Sequence, residues 1–232
     1  MKRLYGAYIR DVLARYPQIV SWDVFNEILD ERSGLETYAP LDRFGLDFVE
    51  FCFRTAHEAA PHAKLVLNDH SLECAGSWCG LKQRNAFGVI RELLKRGTPI
   101  HAIGLQSHLS SSWIPWGRRT ANFIRIMGDL GLEVYISELD VNDSQLALEE
   151  GRRDRQVAGY YRDFLGPVLD QKALKRVVFW GISDSAHWML RTSGGGERRK
   201  VGRPRPALFD EDDDPKPAFE AVRLALEQAP SR

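Results

Sequence analysis

Short runs of β-branched and large apolar residues alternate along this chain with longer stretches of helical periodicity. Five such runs occupy residues 18–27, 64–69, 100–108, 133–138 and 176–181, each nearly continuous in its apolar part and each ending in polar residues. Near-continuous apolar runs of strand length predict parallel strands covered on both faces. Helical stripes separate them. Phe44, Phe48, Phe51 and Thr55 share one face, and Ile90, Leu93 and Leu94 precede a stop at Gly97. Phe123, Ile126, Met127 and Leu130 precede Gly131, and Val157, Tyr160, Tyr161, Phe164 and Val168 form another stripe. A helix over about residues 3–16 opens the chain, and Pro217 opens the last, with Phe219, Val222 and Leu226 expected to face inward. Strand and helix in strict alternation imply βαβ units and a parallel sheet.

The polar ends are the next pattern. Asn26-Glu27, Asn68-Asp69, Gln106 to His108, Glu138 to Asp140, and Trp180 all stand where a strand finishes. In a (β/α)8 barrel these ends converge on one site. A doubly wound sheet also binds ligands at that edge, so position alone does not choose between the two. No G-x-G-x-x-G or Walker motif follows a strand, which argues against nucleotide binding.

Composition changes this picture little. Of 232 residues, 32 are basic and 32 acidic, so no net field points to nucleic acid, a membrane surface or an acidic substrate. No stretch is apolar enough to span a membrane. Residues 1–20 scatter charge among their apolar positions and read as an amphipathic helix rather than an export signal. Of the cysteines Cys52, Cys74 and Cys79, the last two are spaced to bridge a loop, but three free or buried thiols are the favoured expectation. Residues 193–206 read as a mobile basic loop, 211–214 as a solvated acidic turn, and 228–232 as a frayed tail. The histidines show no H-E-x-x-H or comparable spacing, so no metal site is expected.

The chemistry lies in two carboxylates. Glycoside hydrolysis needs one carboxylic acid to protonate the leaving oxygen and a second carboxylate to attack the anomeric carbon or activate water. Glu27 and Glu138 both end strands among polar partners. Taken singly, each also reads as a solvated loop or helix-start residue. Context favours the chemical reading: Asn26 can bond a sugar hydroxyl, and a Glu138–His108–Asp140 chain of hydrogen bonds can hold a carboxylate ionised and oriented. Trp180 and Trp188 offer faces for stacking on sugar rings, whereas Trp22 and Trp78 read as structural.

Five segments, in order, resemble a known family. Residues 22–27 resemble the W-D-V-V-N-E signature of glycoside hydrolase family 10, and residues 104–108 its G-[IL]-Q-x-H segment. Residues 136–141 resemble I-T-E-L-D-[VI], residues 179–188 resemble F-W-G-[VL]-[ST]-D-x-x-x-W, and residues 208–219 resemble the closing L-L-F-D…P-K-P-A-[YF]. The resemblance implies a retaining endo-β-1,4-xylanase with Glu27 as acid/base and Glu138 as nucleophile. Asn26, Gln106, His108, Trp180 and Trp188 would bind substrate, with Asp140 and Asn68 in support. It further implies xylan or xylo-oligosaccharide as the substrate, no cofactor, no nucleic-acid or membrane partner, a monomer when complete, and an extracellular or periplasmic location.

The resemblance is to part of that fold. The W-D-V-[VF]-N-E strand is the fourth of eight in the family, so the expected architecture is a partial TIM (β/α)8 barrel of about five βα units with parallel strands. Residues 1–232 are expected to form a single incomplete catalytic domain without the family's first three βα units, which carry a lysine, a histidine and a tryptophan that grip the sugar. Where the family reads N-D-Y-N, this chain has Asn68-Asp69-His70-Ser71, which removes an aromatic from the leaving-group side.

Overall fold

A computed structural model describes residues 1–38, 40–74, 76–111, 117–191 and 202–231. In order, its elements are α1 (Lys2–Arg15), β1 (Ser21–Asn26), β2 (Leu29–Asp30), β3 (Gly34–Leu35), α2 (Leu41–Phe44), α3 (Leu46–Ala59), β4 (Lys64–Asp69) and α4 (Ser77–Lys95). Then come β5 (Ala102–Leu105), β6 (His108–Ser110), α5 (Gly117–Asp129), β7 (Glu133–Asn142), α6 (Glu150–Leu169), β8 (Leu174–Phe179), a short 3-10 helix (Trp188–Leu190) and α7 (Pro217–Glu227). The main sheet runs β1-β4-β5-β7-β8, every pair parallel, and β6 continues β5 along the far end of β7. Among the described residues β1 and β8 do not pair, so the sheet is an open arc of a (β/α) barrel rather than a closed one.

Period two along the strands sorts the core. Leu65, Leu67, Ile103, Leu105, Val134 and Ile136 belong to one large core cluster with Phe48, Phe53, Ile90, Leu93, Ile124, Met127, Phe164 and Val168 of the helices. The alternate positions Val66, Ala102 and Tyr135 form a second, small cluster. Continuing the same alternation past Val66 puts Asn68 on the opposite face from Leu67.

The structure corrects several expectations. Cys74 and Cys79 are joined in a disulfide with Cα atoms 5.7 Å apart, and only Cys52 is free. Trp78 is 40% exposed, not structural core, whereas Trp22 packs partly buried against the core. On α7, Phe219 and Leu226 are exposed, and Ala218 and Val222 are the buried positions, because only that face meets α6. On α3 the buried face is Phe48, Val49, Cys52, Phe53, Thr55 and Ala56. Phe44 belongs to the separate α2, since Gly45 breaks the helix at φ 50°.

Of the expected mobile basic loop 193–206, residues 193–201 lie outside the described residues. Residues 204–206 are buried. The Arg205 guanidinium forks onto Asp154 at 3.0 and 2.9 Å, and Tyr161 donates to the Pro206 carbonyl at 2.8 Å. Charge and glycine content made this segment look solvated; carboxylates brought in by α6 reverse that. The acidic turn 211–214 is exposed as expected.

Candidate active site

The C-terminal ends of the strands bring the polar residues together, and the sheet ladder continues past the strands to fix them. Glu27 N donates to the Asn68 carbonyl at 2.9 Å, Gln106 N to the Asp69 carbonyl at 3.0 Å, and Glu138 N to the Gln106 carbonyl at 3.0 Å. Three of these ends turn through left-handed backbone that non-glycine residues rarely adopt: Glu27 (φ 58°), Ser71 (φ 61°) and Ser107 (φ 62°). Such strain persists where surrounding structure over-determines it, and it clusters at functional sites.

Two amides link the carboxylates. Gln106 Nε2 donates to Glu27 Oε1 at 2.8 Å and to Asn26 Oδ1 at 3.2 Å. Asn68 Nδ2 donates to Glu138 Oε1 at 2.8 Å and to the same Asn26 Oδ1 at 2.9 Å. Asn26 Oδ1 is therefore the hub between Glu27 and Glu138. Asn68 is satisfied at its other end too, since Ser137 Oγ donates to Asn68 Oδ1 at 2.6 Å. Its side chain needs the absence of one at residue 104: a Cβ on Gly104 would stand 2.1 Å from Asn68 Oδ1.

On the other side of Glu138, His108 Nε2 lies 3.3 Å from Glu138 Oε2, and His108 Nδ1 lies 2.9 Å from Asp140 Oδ1. Burial opposes charge on this imidazole, but hydrogen bonds and charge from Asp140 and Glu138 outweigh it and push His108 up to about 10. His108 is thus an imidazolium at neutral pH, with both ring N–H groups donating to carboxylates. Asp140 is fully buried, and its Oδ2 accepts from Trp188 Nε1 at 2.7 Å. The Trp188 ring meets His108 edge-on, with centroids 5.5 Å apart.

Asn26, Glu27, Asn68 and Gln106 stand at or just past strand ends, and Trp180 and Trp188 follow β8, but Glu138 and Asp140 lie inside β7, which runs on to Asn142 because it pairs there with β6, opened by His108. Glu138, Gln106, Asn68 and Asp140 are buried, whereas Asn26 and Glu27 on β1 are exposed, and Trp180 beyond β8 is 49% exposed. Asp69, expected only as part of the polar strand end, has a structural task. Buried, it pairs with Lys82 at 2.7 Å and accepts Leu29 N at 2.8 Å, anchoring the β2–β3 hairpin. Burial raises its carboxyl above the ordinary range despite Lys82. His70 sits 2.9 Å from Ser71 Oγ and 3.3 Å from Lys82 Nζ.

Sequence reasoning missed Ser137, His187, Lys82 and Glu73. Glu73 is buried with Oε2 unpaired, and burial raises its carboxyl, which favours the neutral acid. Ser137 was legible as the neighbour of Glu138. Nothing local marks the others: Lys82 meets Asp69 and His187 approaches Asp140 only in the folded chain. Among the described residues no group of three or more His, Cys, Asp or Glu is arranged to hold a metal ion. No helix there is long and apolar enough to cross a membrane.

The model of glycosyl hydrolase family 10 matches residues 1–225. Endo-1,4-beta-xylanase A of Thermoanaerobacterium saccharolyticum is 30% identical over 209 residues, covering 88% of this chain and 16% of that relative. Endo-1,4-beta-xylanase 5 of Pyricularia oryzae is 33% identical over 211 residues, covering 90% of this chain and 49% of that relative. The crystal structure of xylanase 10B from Thermotoga petrophila in complex with xylobiose superposes with a TM-score of 0.83 at 28% identity, covering 96% of this chain and 64% of that one. The chain therefore spans less than two thirds of these proteins, in each of which the rest lies beyond the match. With the family model matched over nearly its whole length and the fold superposing on a family structure, the chain belongs to glycosyl hydrolase family 10.

Proposed function

We propose that this chain carries the catalytic carboxylates of an endo-β-1,4-xylanase that cleaves internal xylan linkages with retention. Glu138 attacks the anomeric carbon while protonated Glu27 assists departure of the sugar oxygen. Glu27 then deprotonates the water that hydrolyses the glycosyl ester. The observation that carries this reading is the hydrogen-bonded bridge Glu27–Gln106–Asn26–Asn68–Glu138, which ties two carboxylates remote in sequence into one cluster. His108, an imidazolium, supports an ionised Glu138. The exposed face of Trp180 and the half-buried Trp188 supply apolar surface for sugar rings. The relative bound to xylobiose supports the choice of substrate.

Catalysis on this reading needs further βα units across the gap between β1 and β8, because Asn26 and Glu27 stand exposed at the end of an edge strand that pairs only with β4 among the described residues. The Cys74–Cys79 disulfide supports an oxidising, extracellular or periplasmic setting. A second reading, a sugar-binding remnant without turnover, draws on the same exposed edge. Reducing-sugar release from xylan separates the two. In the active protein, Glu138→Ala and Glu27→Ala each lower the rate by about three orders of magnitude or more. Azide partly rescues Glu138→Ala and gives an inverted glycosyl azide. Unchanged hydrolysis in either purified variant would end the assignment.

A further inference from the structure

His187 has no part in the reaction just described, yet it lies against the groups that perform it. It is 2% exposed. Its Nδ1 accepts from Met189 N at 3.3 Å and so caps the 3-10 helix. With Nδ1 as acceptor, the neutral ring carries its proton on Nε2. That Nε2 has no hydrogen-bond partner and stands 3.6 Å from Asp140 Oδ2. A buried donor left unpaired is uncommon and needs a reason. Asp140 Oδ2 is engaged by Trp188 Nε1, and Asp140 Oδ1 by His108, which in turn meets Glu138. A second imidazole therefore waits at the far end of the Glu138–His108–Asp140 row. Gly181 makes room for it: at φ 114°, a Cβ there would approach His187 Cδ2 to 3.0 Å.

We propose that His187 is a positioning residue that, while neutral, leaves the charge of Asp140 to His108 and, once protonated, competes with His108 for Asp140. This rests on Glu138 as the nucleophile. The charged groups facing the ring are Asp140 and Asp143, which favour its protonation, and His108 and Lys216, which oppose it. Burial is the largest influence and also opposes it, so His187 titrates below its ordinary 6.5. Above that range Asp140 faces one imidazolium. Below it Asp140 faces two, closure from 3.6 Å to hydrogen-bonding distance becomes favourable, and the hold on His108 loosens.

Two measurements test this. The first follows the ring signals of His108 and His187 by NMR in the full 232-residue chain through acid titration. The His108 signals are expected to move at the midpoint of His187, below 6.5, and to lose that step in His187→Gln. His108 signals that stay flat while His187 titrates would overturn the proposal, and this arm needs no activity. The second compares kcat against pH for the parent and His187→Gln in the xylan-hydrolysing protein. The acid limb of kcat should become shallower by about one proton in the variant, with KM little changed. Superimposable limbs would overturn it. Coupled NMR steps in a protein that never hydrolyses xylan would leave the row intact and remove only the glycosidase reading.

Discussion

The inner strands β4 and β5 and the two outer strands of the arc are built from similar residues and have opposite surroundings. On β4 five of six residues are buried, and on β5 all four. On β1 none is buried, and on β8 only Leu174. Val20 beside β1 is 59% exposed and Val178 on β8 is 48% exposed. Apolar sequence makes a strand, but neighbours on both sides make it core. The site divides along the same line. Glu138, His108, Asp140 and Asn68 stand on or beside the buried strands and contact one another directly, with Trp188 after β8 adding a hydrogen bond to Asp140. Glu27 and Asn26 stand on an edge and reach the rest through two amides. The half that holds Glu138, the proposed nucleophile, is preorganised; the half that holds Glu27, the proposed acid/base, depends on what lies against β1.

The sharpest way to break this contrast is to remove the same kind of side chain from each region. Leu67 on β4 is fully buried within the large core cluster. Leu67→Ala should cost about 2–5 kcal/mol, since the cavity left there cannot collapse freely. Val178→Ala on β8 should stay within about 0.5 kcal/mol, because water already covers much of that side chain. Urea denaturation of both variants measures the difference. Equal losses would mean that the outer strands are packed in solution as the middle ones are.

The buried half should also carry its own pH signature, of intermediate size. His108 is raised from 6.5 to about 10 in the folded chain. A raised base stabilises the fold fully below its unfolded value and loses that contribution as pH climbs through the folded one. The urea midpoint should therefore fall between pH 6.5 and 10 by more in the parent than in His108→Gln. At neutral pH the variant should be weaker by about 1–3 kcal/mol, because Glu138 and Asp140 lose a shared charged donor. Parallel pH curves for the two proteins would show that the imidazolium contributes no stability.

The same division governs what could be read in advance. The strand at 64–69 was legible to the residue, since a continuous apolar run has one solution in a parallel sheet, and the helix stops at Gly97 and Gly131 follow from their positive φ. The candidate site residues stand out in the sequence because they follow apolar runs and fall in the family motifs, whereas the continuation of β7 past Glu138 and Asp140 to Asn142 was concealed by its polar residues. Long-range pairings were not legible. Arg205 meets Asp154 across 51 positions, and Lys82 meets Asp69 only once α4 folds back over β4. The β2–β3 hairpin has two residues per strand, too few to show a period. The outward faces of Phe219 and Leu226 were misjudged for the opposite reason: a helical stripe records which residues are apolar, not whether a neighbour is there to cover them.

The smallest effect on stability should have the clearest consequence in solution. An unpaired parallel edge offers open N–H and C=O groups, and exposed apolar residues beside it add a surface for association. Val178 and Ile182, at 48% and 58% exposure, accompany β8, and Leu4 and Tyr8, at 73% and 68%, line the outer face of α1. Val178→Lys places a charge on the β8 edge while removing almost no packing. Its urea midpoint should match the parent within about 0.5 kcal/mol, while its self-association, followed by light scattering against concentration, should decrease. Were the midpoint to drop as it does for Leu67→Ala, β8 would be core after all. Were association unchanged, the open arc would be shielded by something other than its own residues. Only a stable, less associating variant is consistent with an edge that waits for strands to complete it.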